Sequence, residues 1–229
     1  GAGVGVTVID KDTRAWIGSA TVNASGNSAA MTVPDGSLAD DGTFGFTGAA
    51  DDVRGVAVTA VSDEYVVVVA AAGAGGFIGG IAGAVTVEVV DSDTRAYIDE
   101  GALVNTDPTG AHAHQDVHVA ALNDVTMKVV DGSVAGGAFG GLAGSVDVGI
   151  VRNDTTAYIA GEDVRAARDI AVSALEDKDV GSYTVSAAGG AVGLGAAVTV
   201  YALGGDFVSS YEFDADDDGS QDSSDSLSG

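Results

Sequence analysis

The residues most able to do chemistry lie near the C-terminal end of the chain. Asp214, Asp216 and Asp218 alternate with single residues, Gly219 follows, and Asp222 and Asp225 complete a DxDxDGxxDxxD pattern. A calcium loop needs hard oxygen ligands at its first, third and fifth positions, glycine at the sixth for a sharp turn, and further oxygens at the ninth and twelfth. These residues meet each demand, which predicts a Ca2+ site in an acidic tail over 214–229. Runs of Asp, Ser and Gly also make solvated linkers, and that reading stands beside the calcium one.

Three further sets could carry chemistry. His112, His114 and His118 are the chain's histidines and fall in one stretch, AHAHQDVH. Alternate residues of a strand share a side, so zinc or nickel is geometrically conceivable, while a solvated polar face is the simpler expectation. Asp10, Asp12, Asp91, Asp93 and Asp154 sit in what reads as a recurring turn before Thr-x-Ala, where stacking would line up carboxylates that repel unless cations lie between them. Trp16, Tyr97 and Tyr158 recur next to Ile17, Ile98 and Ile159. One face cannot hold both sets, so the isoleucines are expected inside and the aromatics outside as a stacked structural ladder, with carbohydrate stacking as a weaker use. Paired carboxylates for glycoside hydrolysis are conceivable in so acidic a chain, yet no acid is set apart by a basic or aromatic cluster.

The elements that position these residues are repeats. GAGVGVTVIDKDTRAWIG from Gly1, GIAGAVTVEVVDSDTRAYID from Gly80 and GLAGSVDVGIVRNDTTAYIA from Gly141 align without gaps, bringing Thr13, Thr94 and Thr155 into correspondence. A second block recurs from Val56, Val117 and Ile170, and a fourth start, GAVGLGAAVTVYALGG, follows the last copy. Apolar and polar residues alternate within the blocks, as at Val85, Val87 and Val89 around Thr86 and Glu88, which is strand periodicity. Reading Asp-Gly, Gly-Gly and Asn-Asp as turns gives strands of four to seven residues and rungs of roughly 20 residues. The first interval between blocks exceeds the second by 20 residues, as one inserted coil would. The expected fold is therefore all-β, a parallel β-helix (β-solenoid) of such rungs over 1–213, with an antiparallel sandwich as the competing architecture.

Composition narrows the partners. The net charge is -25, from 34 acidic against nine basic residues, so nucleic acid, acidic polysaccharide and anionic membrane are repelled. The surroundings it suits are salty and rich in divalent cations. Hydrophobic residues make up 46% of the chain and are mostly Ala and Val, so the core is expected to be thin. There are no cysteines. Tyr65 to Val87 carries no charge, but it is half Gly and Ala and no Lys or Arg flanks it, so no membrane span is expected. The chain opens at Gly1 without Met, as a processed protein or a piece of a longer one would.

The pattern GxAGAVTVxVxDxDTRAYI, followed by DVHVAAL and a Gly-Ala-rich strand, resembles the repeats of large secreted bacterial adhesins of the filamentous-haemagglutinin-like and leukotoxin-like kind. The aspartate pattern of the tail is similar to a thrombospondin type 3 calcium loop. The adhesin resemblance implies a right-handed parallel β-helix, export to the cell surface, service as a stalk or adhesive fibre, no catalytic residues, and host or cell-surface glycans as possible partners. A structural or adhesive segment of a surface fibre, and not an enzyme, is the leading expectation. End-to-end self-association into a filament, or stacking with further repeats, is the alternative, and a polysaccharide-active β-helix enzyme comes third.

Overall fold

Val, Thr and Ile alternate with small residues through both repeated blocks, and β-branched side chains favour extended backbone. The computed structural model describes residues 1–34 and 50–204, and among these there is no helix. Its strands are β1 (Ala2–Ile17), β2 (Thr21–Val22), β3 (Met31–Pro34), β4 (Ala50–Gly76), β5 (Gly79–Ile98), β6 (Leu103–Val104), β7 (Gln115–Gly137), β8 (Gly140–Ile159), β9 (Asp163–Val164), β10 (Ile170–Gly189) and β11 (Val192–Leu203). Among the described residues no helix is long and apolar enough to cross a membrane. The calcium pattern Asp214, Asp216, Asp218, Asp222 and Asp225 lies outside the described residues.

Three sheets result, in the orders β1-β5-β8-β11, β10-β7-β4-β3 and β2-β6-β9. The first and third are parallel, whereas the second is mixed because β3 runs antiparallel to β4. Each repeat contributes its first block to the first sheet and its second block to the second sheet. Phe77–Ile78 carries the chain from β4 over to β5, and Ala138–Phe139 does the same between β7 and β8. The backbone register coincides with the alignment of the repeats: Thr13 lies beside Thr94 and Thr94 beside Thr155, and Val56, Val117 and Ile170 share a position in the second sheet.

The expected parallel β-helix of roughly 20-residue rungs is corrected by this arrangement. The blocks form strands of 12 to 27 residues gathered in two sheets, one of them mixed, and two-residue strands between the blocks make a third. Asp131-Gly132 and Asn153-Asp154, read as turns, run through β7 and β8 without a break. Glycine and aspartate break a strand only where the backbone must turn, and here β4 and β10 hold Asp131-Gly132 extended from both sides while β5 holds Asn153-Asp154 from one. In the longer first interval the described residues do not add a parallel strand to the second sheet. They supply β3, which pairs antiparallel with the first residues of β4 from Met31↔Val53 to Pro34↔Ala50.

The first two sheets face each other, and their shared interior is divided along the strands. One apolar cluster gathers Val56, Val58, Ile98, Val117 and Val119, a second gathers Val68, Val90, Met127, Val129 and Val151, and a third consists of Ala82, Ala135 and Ala143 near the arches. The third is small because the sheets approach so closely there. A Cβ added to Gly141 would lie 2.8 Å from the carbonyl oxygens of Ala135 and Gly189, and one on Gly80 would lie 2.7 Å from those of Ala74 and Gly136. Gly141→Val is expected to lower stability by about 1–3 kcal/mol through overpacking. Gly144→Ala, where the added carbon meets nothing within 4 Å, should lose nothing measurable. Denaturant unfolding of both variants checks this, and equal losses would refute close approach at Gly141.

Candidate functional site

In-register pairing turns each repeated side chain into a row. Trp16, Tyr97 and Tyr158 occupy one position of β1, β5 and β8, with ring centroids 6.2 and 5.0 Å apart and planes within 13° and 9° of parallel. Trp16 and Tyr158 are exposed and Tyr97 is half-buried, while Ile98 next to it is fully buried among the valines of the first cluster. Thr13, Thr94 and Thr155 point inward, and the Thr94 and Thr155 hydroxyls have no hydrogen-bond partner among the described residues. These rows lie within strands, not in turns.

The aspartates form rows as well. Asp12, Asp93 and Asp154 share one position, and Asp10 and Asp91 share another with Arg152. Parallel neighbours stand about 4.8 Å apart, close enough for their charges to repel. Arginines supply the opposing charge. Arg14 holds both oxygens of Asp12, with Nε donating to Oδ1 at 2.6 Å. Arg95 meets Asp93 at 2.6 Å, and Arg152 reaches across from β8 to Asp91 at 3.0 Å. Guanidinium groups thus supply the countercharge along these rows, and no group of three His, Asp or Glu side chains among the described residues is arranged to hold a metal ion.

The histidines are not brought together. His112 and His114 precede β7, with ring centroids 5.5 Å apart. His118 lies in β7, buried under the chain leading to β3, its Nε2 2.9 Å from the carbonyl oxygen of Pro34. The expected solvated polar face is therefore corrected at His118. Nearby, Asp116 is buried and takes two hydrogen bonds of 2.7 Å from Arg168. Burial alone would raise its pKa, but Arg168 and the Arg54 amide outweigh that and hold it below the usual carboxylate range.

Two polar seams separate the three apolar clusters. In the one next to the first cluster, Glu64 is paired with Lys11 and accepts from Ser62 Oγ at 2.6 Å, while Asn123 Nδ2 donates to the Ser92 carbonyl oxygen at 3.0 Å. In the other seam, next to the alanine cluster, three carboxyl groups meet without a cation: Glu88 of β5 and Asp147 of β8, both 0% exposed, and Asp131 of β7 on the facing sheet, 1% exposed. Asp147 is well satisfied, accepting from Thr86 Oγ1 at 2.9 Å, from the Tyr201 hydroxyl at 3.0 Å and from Ser182. Glu88 and Asp131 are not, since none of their oxygens finds a donor among the described residues.

Burial pushes the Glu88 carboxyl up to about 8, helped by the neighbouring Asp147 and Asp131 carboxyl groups. Burial also raises Asp131, with the Asp147 charge adding to it. The Gly132 and Val146 amides oppose the shift from nearby without making hydrogen bonds of good geometry. Tyr201 is raised in turn, first by burial and then by Asp147.

Sequence reasoning missed this cluster. The available signal was an acid inside each of two apolar runs, VTVEVV and SVDVGIV, on the opposite side of the strand from the valines. Those valines face outward: Val4, Val85, Val146 and Val198 share one position and all are exposed. At the arches the exposed set continues with Phe77, Ile78, Ile81, Phe139 and Leu142, beside an apolar groove of ≈ 590 Å³.

Comparison of the chain with protein-family models, with curated proteins and with solved structures gives no match. The aromatic row offers a direct check, because Trp16 is the chain's single tryptophan. Tyr97→Leu removes the middle ring, and the expected result is a changed Trp16 emission with a loss of about 0.5–1.5 kcal/mol. Unchanged emission and stability would contradict a stacked row.

Proposed function

We propose that this chain is a structural or adhesive segment of a secreted cell-surface fibre. The observation that carries the reading is the stacking of whole repeats in register, so that each added repeat lengthens the main sheets by one strand and leaves a fresh parallel edge for the next. Growth of this kind sets no upper length, which suits a stalk. High negative charge suits a salty exterior. The resemblance to adhesin repeats supports export, and the Asp214–Asp225 pattern supports a calcium-stiffened extension.

The exposed aromatic row and the apolar arches are the surfaces on which adhesion would act, with glycans stacking on Trp16 and Tyr158. End-to-end self-association is the second reading, favoured by β1, whose outer edge is paired with no described strand. A polysaccharide-active enzyme finds no support in the carboxyl groups that burial sets apart, because Glu88, Asp131 and Asp147 lie between sheets rather than along an open cleft.

Negative-stain electron microscopy of polypeptides carrying one, two and three tandem copies of residues 1–204 tests the proposal. The expected particles are rods whose length rises in proportion to copy number. Compact particles, or beads separated by flexible links, would overturn the fibre reading.

A further inference from the structure

We propose that the Glu88–Asp131–Asp147 cluster is a proton-operated clasp between the two main sheets, closed while Glu88 is protonated and loosening the packing around it when Glu88 ionises. Position is the first argument. The cluster stands at the boundary between the valine and methionine core on one side and the alanine cluster on the other. Beyond it, toward the two-residue arches that join the sheets, the interior narrows to Ala82, Ala135, Ala143, a few half-buried alanines and the Ser145–Ser133 hydrogen bond of 3.0 Å. Such small side chains bury little apolar surface, so packing next to the cluster depends on how its carboxyl groups are accommodated.

The second argument is the lack of any compensating charge. Around the cluster β7 contributes Asp131, β8 contributes Asp147 and β11 contributes Tyr201, while the facing stretches of β1, β4 and β10 contribute no titratable side chain. No Lys, Arg or His stands within two register positions of Glu88, Asp131 or Asp147 in any of these strands. Lys11 and Lys178 are engaged with Glu64 and Glu176 in the other seam. Ionised Glu88 would therefore face two carboxyl groups, with the nearby Tyr201 hydroxyl already given to Asp147, and loosening the packing to admit water is the available relief.

The direction with pH follows from linkage. Glu88 titrates near 4.5 in an unfolded chain and near 8 in the folded one. Below the first value it is protonated in both states and has no effect. Between the two values the folded chain holds a proton that the unfolded chain lacks, so stability falls as pH rises and levels off above about 8. Asp131 shifts in the same direction and adds to the fall. Loosening beside the arches would bring Phe77, Phe139 and the apolar groove into motion together, so pH would govern the face that the fibre presents.

Hydrogen–deuterium exchange of the whole chain at about pH 6 and about pH 9, corrected for intrinsic rates, tests the clasp. Amides in 79–86 and 133–146 are expected to exchange about tenfold faster at the higher pH, while those in 94–98 and 117–121 hold steady. Glu88→Gln, which keeps the shape without the charge, should retain slow exchange at high pH. Asp131→Asn, a second variant, should move the midpoint of the change to lower pH, because removing a neighbouring negative charge eases Glu88 ionisation. Uniform acceleration along the chain, the same pH response in Glu88→Gln, or an unmoved midpoint in Asp131→Asn would overturn the proposal. Each of these outcomes leaves the fibre reading to its own test by rod length.

Discussion

Like-on-like parallel pairing is the constraint from which the rest of the structure follows. Once each block lies beside its own copy, every side chain has its counterpart from the neighbouring repeat about 4.8 Å away. That spacing rewards some residues and penalises others. Flat rings stack at Trp16, Tyr97 and Tyr158. Valines form rows on both faces. Aspartates repel, and the structure answers with Arg14, Arg95 and Arg152 placed beside Asp12, Asp93 and Asp91. Exposed pairs of this type contribute little each, typically below about 1 kcal/mol, so their role is to make the aspartate rows tolerable rather than to drive folding.

In the interior the polar positions vary between repeats, with Thr7 and Gly149 beside Glu88 and Ala70 and Thr184 beside Asp131, so each seam needs its own partners. The seam beside the first cluster resolves this with a lysine, an asparagine and serine hydroxyls. In the seam beside the alanine cluster the polar residues are Thr86, Ser133, Ser145, Asp147, Ser182 and Tyr201, and their hydroxyls serve Asp147 and one another. Glu88 and Asp131 remain outside that network. Thin sheet separation near the arches explains why small and polar residues point inward there while the valines point out. A valine facing inward at the Gly141 position would meet the opposite backbone.

Much of this was legible in the residues. The gapless alignment of the blocks is the register of the strands, since equal spacing of Thr13, Thr94 and Thr155 within their blocks leaves one pairing that matches every neighbour. Strand type followed from alternation, and isoleucine-in, aromatic-out followed from their adjacency. Strand length did not, because Asp131-Gly132 reads as a turn unless the two flanking strands that hold it straight are known. Alternation also left open which face is inside. Val117 and Val119 face the core, whereas Val85 and Val146 face out, and only the closeness of the opposite sheet decides. His118 looked solvated because the segment covering it, ending at Pro34, lies 84 residues away in the chain.

The central claim, that equivalent residues of successive repeats lie side by side, can be measured by disulfide trapping in a chain that has no cysteine of its own. Val85 and Val146 face outward as paired neighbours on β5 and β8, at a separation a disulfide spans. Oxidation of the double variant Val85→Cys/Val146→Cys should close an intramolecular bond rapidly, while Val85→Cys/Ile150→Cys, shifted by four residues on the same face, should stay reduced. Equal trapping of both pairs, or closure of the shifted pair alone, would contradict in-register stacking and the account built on it.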